Sequence, residues 1–165
     1  MDRRNFLTSA LALGAFAALK AHEVGASDEG RKGIGRVVKS DEEWRRLLTP
    51  EQYEVTRRKG TEAPGSSPLD KHYARGTYVC VCCDLPLFSS KAKYDSHTGW
   101  PSFWQPIDKR HVREEEDRSL PEVRTEVLCA RCDAHIGHVF DDGPEPTGLR
   151  YCMNGVALKF VTGKA

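Results

Sequence analysis

The chemistry available to this chain is concentrated in its cysteines and two closely spaced histidines. Cys80-Val81-Cys82-Cys83 and Cys129-Ala130-Arg131-Cys132 each contain a C-x-x-C step. Two such knuckles supply four thiolates, the donor set of a tetrahedral structural zinc site. The stretch between them, 84–128, is longer than the spacer of a compact zinc ribbon. A metal there clamps two distant hairpins and adds folding free energy to a small core. The expected ligands of one Zn2+ per chain are Cys80, Cys83, Cys129 and Cys132. Two disulfides are the alternative, above all in an exported protein.

Cys82 and Cys152 are left over. Cys152 sits in Leu149-Arg150-Tyr151-Cys152-Met153-Asn154, where a late strand is expected to begin. A lone cysteine is usually a small buried apolar residue. Arg150, two positions away, falls on the same strand face, and a nearby guanidinium favours thiolate over thiol. A shift of two units from about 8.5 leaves roughly three quarters of it as thiolate at pH 7. His135-Ile136-Gly137-His138 follows Cys132 closely. Both histidines suit a Cys-Cys-His-His site or a plain strand entry; if four thiolates saturate the metal, they are free for proton transfer. Gly99-Trp100-Pro101-Ser102-Phe103-Trp104 holds two of the three tryptophans. Such a cluster reads as core or as the apolar wall of a small uncharged ligand's site.

The elements that must position these residues are short. Ser40-Asp41-Glu42-Glu43 is a capping box opening a helix to about Leu48. Thr49-Pro50-Glu51-Gln52 repeats it, with Pro50 at the first helical position. Thr61 to Pro68 is turn-forming. Beyond Gly76 the pattern turns to strand: Val123, Thr125 and Val127 alternate with charged residues, and Val156, Leu158 and Phe160 do so more loosely. His111 to Glu116 reads as a polar strand or loop whose charges form a solvated face. The pattern reads as a mainly β (α+β) domain, with two short N-terminal helices laid against antiparallel sheet and a structural four-cysteine zinc site.

With 165 residues, 39% apolar and 30% charged, the chain supports one domain with a real core. A formal charge of +1 excludes a strongly basic nucleic-acid binder. The run Ala10 to Leu19 is about half of what a spanning helix needs, so stable membrane insertion of the mature chain is not expected. Residues 1–26 have the layout of an export signal: Arg3-Arg4, a short apolar region, and small residues at Val24-Gly25-Ala26. The adjacent arginines before Asn5-Phe6-Leu7 resemble a twin-arginine signal and point to a periplasmic protein; an ordinary amphipathic helix is the alternative. Residues 27–39 read as linker and 40–162 as the folded domain. Removing 1–26 leaves 22 charges of each sign, because Arg3, Arg4, Lys20, Asp2 and Glu23 are lost from 25 cations and 24 anions.

Several motifs share one order: the two cysteine pairs, Tyr94-Asp95-Ser96-His97-Thr98-Gly99-Trp100-Pro101-Ser102-Phe103, His135-x-x-His138-Val139-Phe140, and Arg150-Tyr151-Cys152-x-Asn154. In this they closely resemble the B-type methionine sulfoxide reductases, from about Ser40 to Thr162, including Gly60-Thr61-Glu62 and Asp141-x-Gly143-Pro144. The resemblance implies a zinc-bearing pair of antiparallel sheets and reduction of the R epimer of methionine sulfoxide. It makes Cys152 the nucleophile on the sulfoxide sulfur and Arg150 a holder of the thiolate. His135, His138 and Asn154 then position a water or donate a proton to the sulfoxide oxygen. Trp100 packs on the substrate methyl, and Phe140 completes the pocket. Cys152 emerges as a sulfenic acid. The implied partners are oxidised protein or peptide methionine and a thioredoxin-like or other thiol reductant.

The chain departs from the family pattern at Thr98, where many members carry a recycling cysteine. Cys82 then reads either as a substitute resolving thiol or, in preference, as a passenger in its knuckle. Two rival functions remain: a zinc-ribbon binding module, which leaves the Cys152 and histidine motifs unexplained, and a redox sensor or thiol-disulfide oxidoreductase, which needs an exposed C-x-x-C.

Overall fold

The computed structural model describes residues 33–163. The expected export signal, 1–26, lies outside them, as does the first part of the linker. Helix α1 (Asp41–Leu47) and helix α2 (Pro50–Arg58) both open on complete capping boxes, Ser40 with Glu43 and Thr49 with Gln52. Each box satisfies N–H groups that a first helical turn leaves unpaired. Trp44 from α1, with Tyr53 and Val55 from α2, faces the core.

Two antiparallel sheets follow. One has the order β2-β1-β9, from β1 (Gly76–Cys80), β2 (Pro86–Ser89) and β9 (Leu158–Thr162). The other has the order β3-β4-β8-β7-β6-β5, from β3 (Lys93–Tyr94), β4 (Ser102–Phe103), β5 (Val112–Asp117), β6 (Arg124–Cys129), β7 (His135–Phe140) and β8 (Arg150–Met153). The mainly β class, the two sheets and the short helices are as expected. Aromatic rings join the sheets: Phe88 of β2 stacks on Phe103 of β4 at 4.5 Å, and Tyr78 of β1 meets Phe103 edge-on at 4.9 Å. Phe103 is fully buried, and truncating such a ring to Ala costs about 3–5 kcal/mol.

Three details differ from the sequence reading. Val123 is 52% exposed and precedes β6, while Glu126, one of the charged residues that alternate with Thr125 and Val127, is 2% exposed. The segment 34–37, read as linker, packs on the second cysteine knuckle: Val37 N–H donates to Arg131 O at 2.8 Å, and Arg131 Nε–H donates to Ile34 O at 3.1 Å. The charges of 111–116 are not simply solvated, because Arg113 pairs with Asp133 at 3.0 Å and Glu114 accepts from the Tyr151 hydroxyl at 2.8 Å. Among the described residues no helix is long and apolar enough to cross a membrane.

Candidate active site

The two cysteine knuckles are built alike. Cys80 ends β1 and Cys129 ends β6, and each is followed by a turn carrying the second cysteine. Asp84 N–H donates to Cys80 O, and Asp133 N–H donates to Cys129 O, both at 2.9 Å. Asp84 and Asp133 close the turns with φ of 58° and 56°, the left-handed region that Asp tolerates better than most residues. The four sulfurs of Cys80, Cys83, Cys129 and Cys132 lie within 4.8 Å of one another and can hold a metal ion. The Cys80–Cys132 and Cys83–Cys129 pairs, at 3.7 and 3.5 Å, each bridge the two hairpins. These separations are far beyond a disulfide bond of about 2.05 Å. Hydrogen bonding among the sulfurs, from Cys129 first, and burial push the Cys80 thiol up. Four thiolates at these separations repel one another unless a cation sits among them. Cys82 lies among Cys132, Cys80, Thr56 and Arg57.

Cys152 stands on β8 between β4 and β7, opposite Ser102 on one side and His138 on the other. It borders a cavity of about 130 Å³ lined by Thr61, Trp100, Arg124, Gly137, His138, Phe140, Cys152 and Asn154. Gly137 is required there, since an added Cβ would meet Cys152 O at 2.2 Å. Five residues singled out from sequence (Trp100, His138, Phe140, Cys152 and Asn154) therefore share one wall. Trp100 is held by Nε1–H donating to Glu62 O at 3.2 Å. Asn154 Oδ1 accepts from Glu62 N–H at 3.1 Å and its Nδ2 donates to Ile136 O at 3.2 Å, leaving one amide proton.

Arg150 and His135 are not in that wall. Arg150 shares the face of Cys152 but binds both oxygens of Asp142 at 2.7 Å, with its guanidinium 4.3 Å from the Phe140 ring centre. Burial pushes the Cys152 thiol up, and Thr98, Arg150 and Ser102 pull it down without overcoming that. The expectation that Arg150 favours thiolate is right in sign, yet desolvation outweighs it. His135 is 2% exposed; its Nδ1 bonds Glu126 Oε1 at 2.7 Å, and its ring lies edge-on to His138 at 5.3 Å.

Thr98 stands beside the nucleophile candidate, its Oγ1 3.9 Å from Cys152 Sγ. Ser96 Oγ links Thr98 Oγ1 at 2.8 Å to Ser102 Oγ at 2.7 Å. Sequence reasoning does not single out Arg124, Asp117 or the carboxylate of Glu62. Only Glu62 carries a signal, its place in the Gly60-Thr61-Glu62 motif.

The SelR domain family matches residues 48–162. The chain is 60% identical over 127 residues to "Peptide methionine sulfoxide reductase MsrB" of Hahella chejuensis (strain KCTC 2396), covering 77% of this chain and 91% of that protein. It is 56% identical over 125 residues to the protein of the same name from Pseudomonas putida (strain W619), covering 76% and 94%. With that of Leptospira interrogans serogroup Icterohaemorrhagiae serovar Lai (strain 56601) it shares 54% over 124 residues, covering 75% and 95%. On this match and the cysteine and aromatic geometry above, the chain belongs to the SelR-domain family, the B-type methionine sulfoxide reductases.

Proposed function

We propose that this protein reduces the R epimer of methionine sulfoxide in proteins and peptides, with Cys152 as nucleophile. It is an oxidoreductase acting on peptide methionine sulfoxide. The observation that carries the finer reading is the single wall in which Cys152 meets Trp100, Phe140, His138 and Asn154. The aromatic rings suit the apolar methyl and the polar groups suit the sulfoxide oxygen. The Cys152 thiolate attacks the sulfoxide sulfur. One proton is taken up, oxygen passes to Cys152 as a sulfenic acid, and methionine leaves. Oxygen leaves sulfur only when protonated, so His138, with His135 beside it, and Asn154 serve that proton or a water delivering it. Arg150 anchors the strand face and favours the thiolate. An external thioredoxin-like dithiol then returns Cys152 to the thiol, releasing water and its own disulfide.

The four-cysteine cluster takes one Zn2+ as a structural ion. Zinc–sulfur bonds of about 2.3 Å place tetrahedral sulfurs about 3.8 Å apart, close to the 3.7 and 3.5 Å of the two cross-hairpin pairs. The Arg3-Arg4 signal layout supports export to the periplasm by the twin-arginine route, with the reductase domain spanning 40–162 and residues 34–37 packed against its second cysteine knuckle.

The test is turnover of separated R and S epimers of a dabsyl-methionine sulfoxide with dithiothreitol, by wild type and Cys152→Ser. Reduction of R alone, lost in the variant with zinc content kept, is expected. Equal rates on both epimers, or turnover by Cys152→Ser, would overturn the reading.

A further inference from the structure

The buried histidine pair has anchors of its own. His138 Nε2 lies 2.8 Å from Oδ2 of Asp117, the last residue of β5, two strands away across the sheet. His135 is anchored through the other nitrogen, Nδ1, to Glu126. We propose that Asp117 is the positioning residue of His138, holding the ring by its Nε2–H so that Nδ1 is left unprotonated as the ring's acceptor in the Cys152 cavity wall. This rests on the reductase reading of that cavity and deepens it: His138 then works by accepting a hydrogen bond, from a water or from a protonated sulfoxide oxygen, and does not itself donate in its neutral form.

The proton assignment follows from the groups around Asp117. Its Oδ1 accepts from Ser119 N–H at 2.9 Å, and its Oδ2 takes Arg124 Nη2–H at 2.7 Å together with the His138 contact. Hydrogen bonds from Ser119, then from His138 and Arg124, hold the carboxyl well below its ordinary range. An ionised carboxylate only accepts, so the proton in the contact belongs to Nε2. The groups facing His138 are Asp117 from β5, Arg124 and Glu126 from β6, His135 from β7 and Cys152 from β8. Burial lowers His138 below its ordinary value, Asp117 raises it, and Arg124 and His135 lower it, so the ring is neutral at pH 7.5. The arrangement has the logic of an aspartate that fixes the tautomer of a general base.

An asparagine at 117 cannot serve all three contacts in either orientation, having one acceptor oxygen in place of two. If its oxygen keeps Ser119 N–H, its amide N–H groups face Arg124 Nη2–H and His138 Nε2, and the histidine proton is driven to Nδ1. The reversed amide would still accept His138 Nε2–H but turns its N–H groups to Ser119 N–H; the first orientation is the one expected, because Ser119 holds the carboxyl most strongly.

The experiment uses the folded protein with 15N-labelled histidine. Long-range 1H–15N correlation at pH 7.5 is expected to show His138 protonated at Nε2 in wild type and in Asp117→Glu, and at Nδ1 in Asp117→Asn. Its midpoint in Asp117→Asn is expected to move to lower pH, because the carboxylate that raises it is gone. Single-turnover methionine release at saturating substrate is expected to fall about 100-fold in Asp117→Asn, the lower range for an acid–base group. The half-saturating concentration is expected to hold, and Asp117→Glu is expected to regain most of the rate. Should Asp117→Asn fail to fold, the wild-type and Asp117→Glu spectra still decide the tautomer. A wild-type His138 protonated at Nδ1, or an Asp117→Asn with the wild-type rate, overturns the inference and leaves the reductase reading standing. Wild-type protein that releases no methionine overturns that reading instead, whatever the tautomer.

Discussion

Glu62 and Asn154, 92 positions apart in sequence, are joined by Glu62 N–H donating to Asn154 Oδ1 at 3.1 Å inside the domain. The same glutamate accepts Trp100 Nε1–H on its carbonyl, and Gly155 N–H and Val156 N–H on its carboxylate at 2.7 and 2.8 Å. One residue of the loop after α2 thus holds two members of the Cys152 wall and the turn that follows β8.

Glu62→Gln is therefore expected to lower stability by about 1–3 kcal/mol, because one of two buried N–H groups then faces an amide N–H and loses its acceptor. Urea unfolding checks this. The KM for a peptide sulfoxide is expected to rise as Trp100 and Asn154 loosen. Unchanged unfolding and an unchanged KM would show that the glutamate is a bystander.

Cys152 supplies a pH prediction. Burial raises its thiol above the ordinary cysteine value, so the reactive thiolate grows in only as pH rises. Iodoacetamide labelling of Cys152, followed by peptide mapping, is expected to have its midpoint above that of a free cysteine peptide. Arg150→Met is expected to move it higher still, since the guanidinium is one of the groups pulling it down. A midpoint below the peptide's would mean that Arg150 and Thr98 outweigh desolvation.

Local chemistry makes part of this structure legible. Both helix starts follow from capping boxes that involve four neighbouring residues, and the metal knuckles from C-x-x-C spacing, because each is satisfied within one turn. Strand alternation misplaces Glu126: its neighbours mark it for solvent, yet His135 of the adjacent strand β7 and Lys59 from the end of α2 bind its two oxygens at 2.7 Å. Asp117 is invisible for the same reason. It ends a polar strand, and nothing local shows that His138 lies beyond the intervening β6. The Cys152 wall is readable as motifs in order, but the split that leaves Arg150 on Asp142 and His135 on Glu126 depends on sheet register.

The cysteine cluster joins the β1–β2 hairpin of one sheet to the β6–β7 hairpin of the other, so its loss is expected to be felt by the whole domain. Elemental analysis is expected to give one zinc per chain. Cys83→Ser, or a strong chelator, is expected to lower Tm by about 10 °C or more. A metal-free protein with wild-type Tm would contradict a structural ion there.

The place of Thr98 allows the recycling half of the reaction to be rewired. Its Oγ1 stands 3.9 Å from Cys152 Sγ, and a cysteine Sγ at that site needs only a modest approach to reach the bond length of about 2.05 Å. In wild type, one equivalent of methionine sulfoxide is expected to leave Cys152 as a sulfenic acid that dimedone labels. In Thr98→Cys the new thiol attacks that sulfenic sulfur, water leaves, and a disulfide between the introduced cysteine and Cys152 remains. Dimedone labelling is then expected to vanish, and the linked peptide to appear in the mass spectrum. Thioredoxin-supported turnover is expected to rise, because a disulfide is the substrate such a reductant exchanges with. Persistent labelling of Cys152 in Thr98→Cys would mean that the two side chains cannot meet.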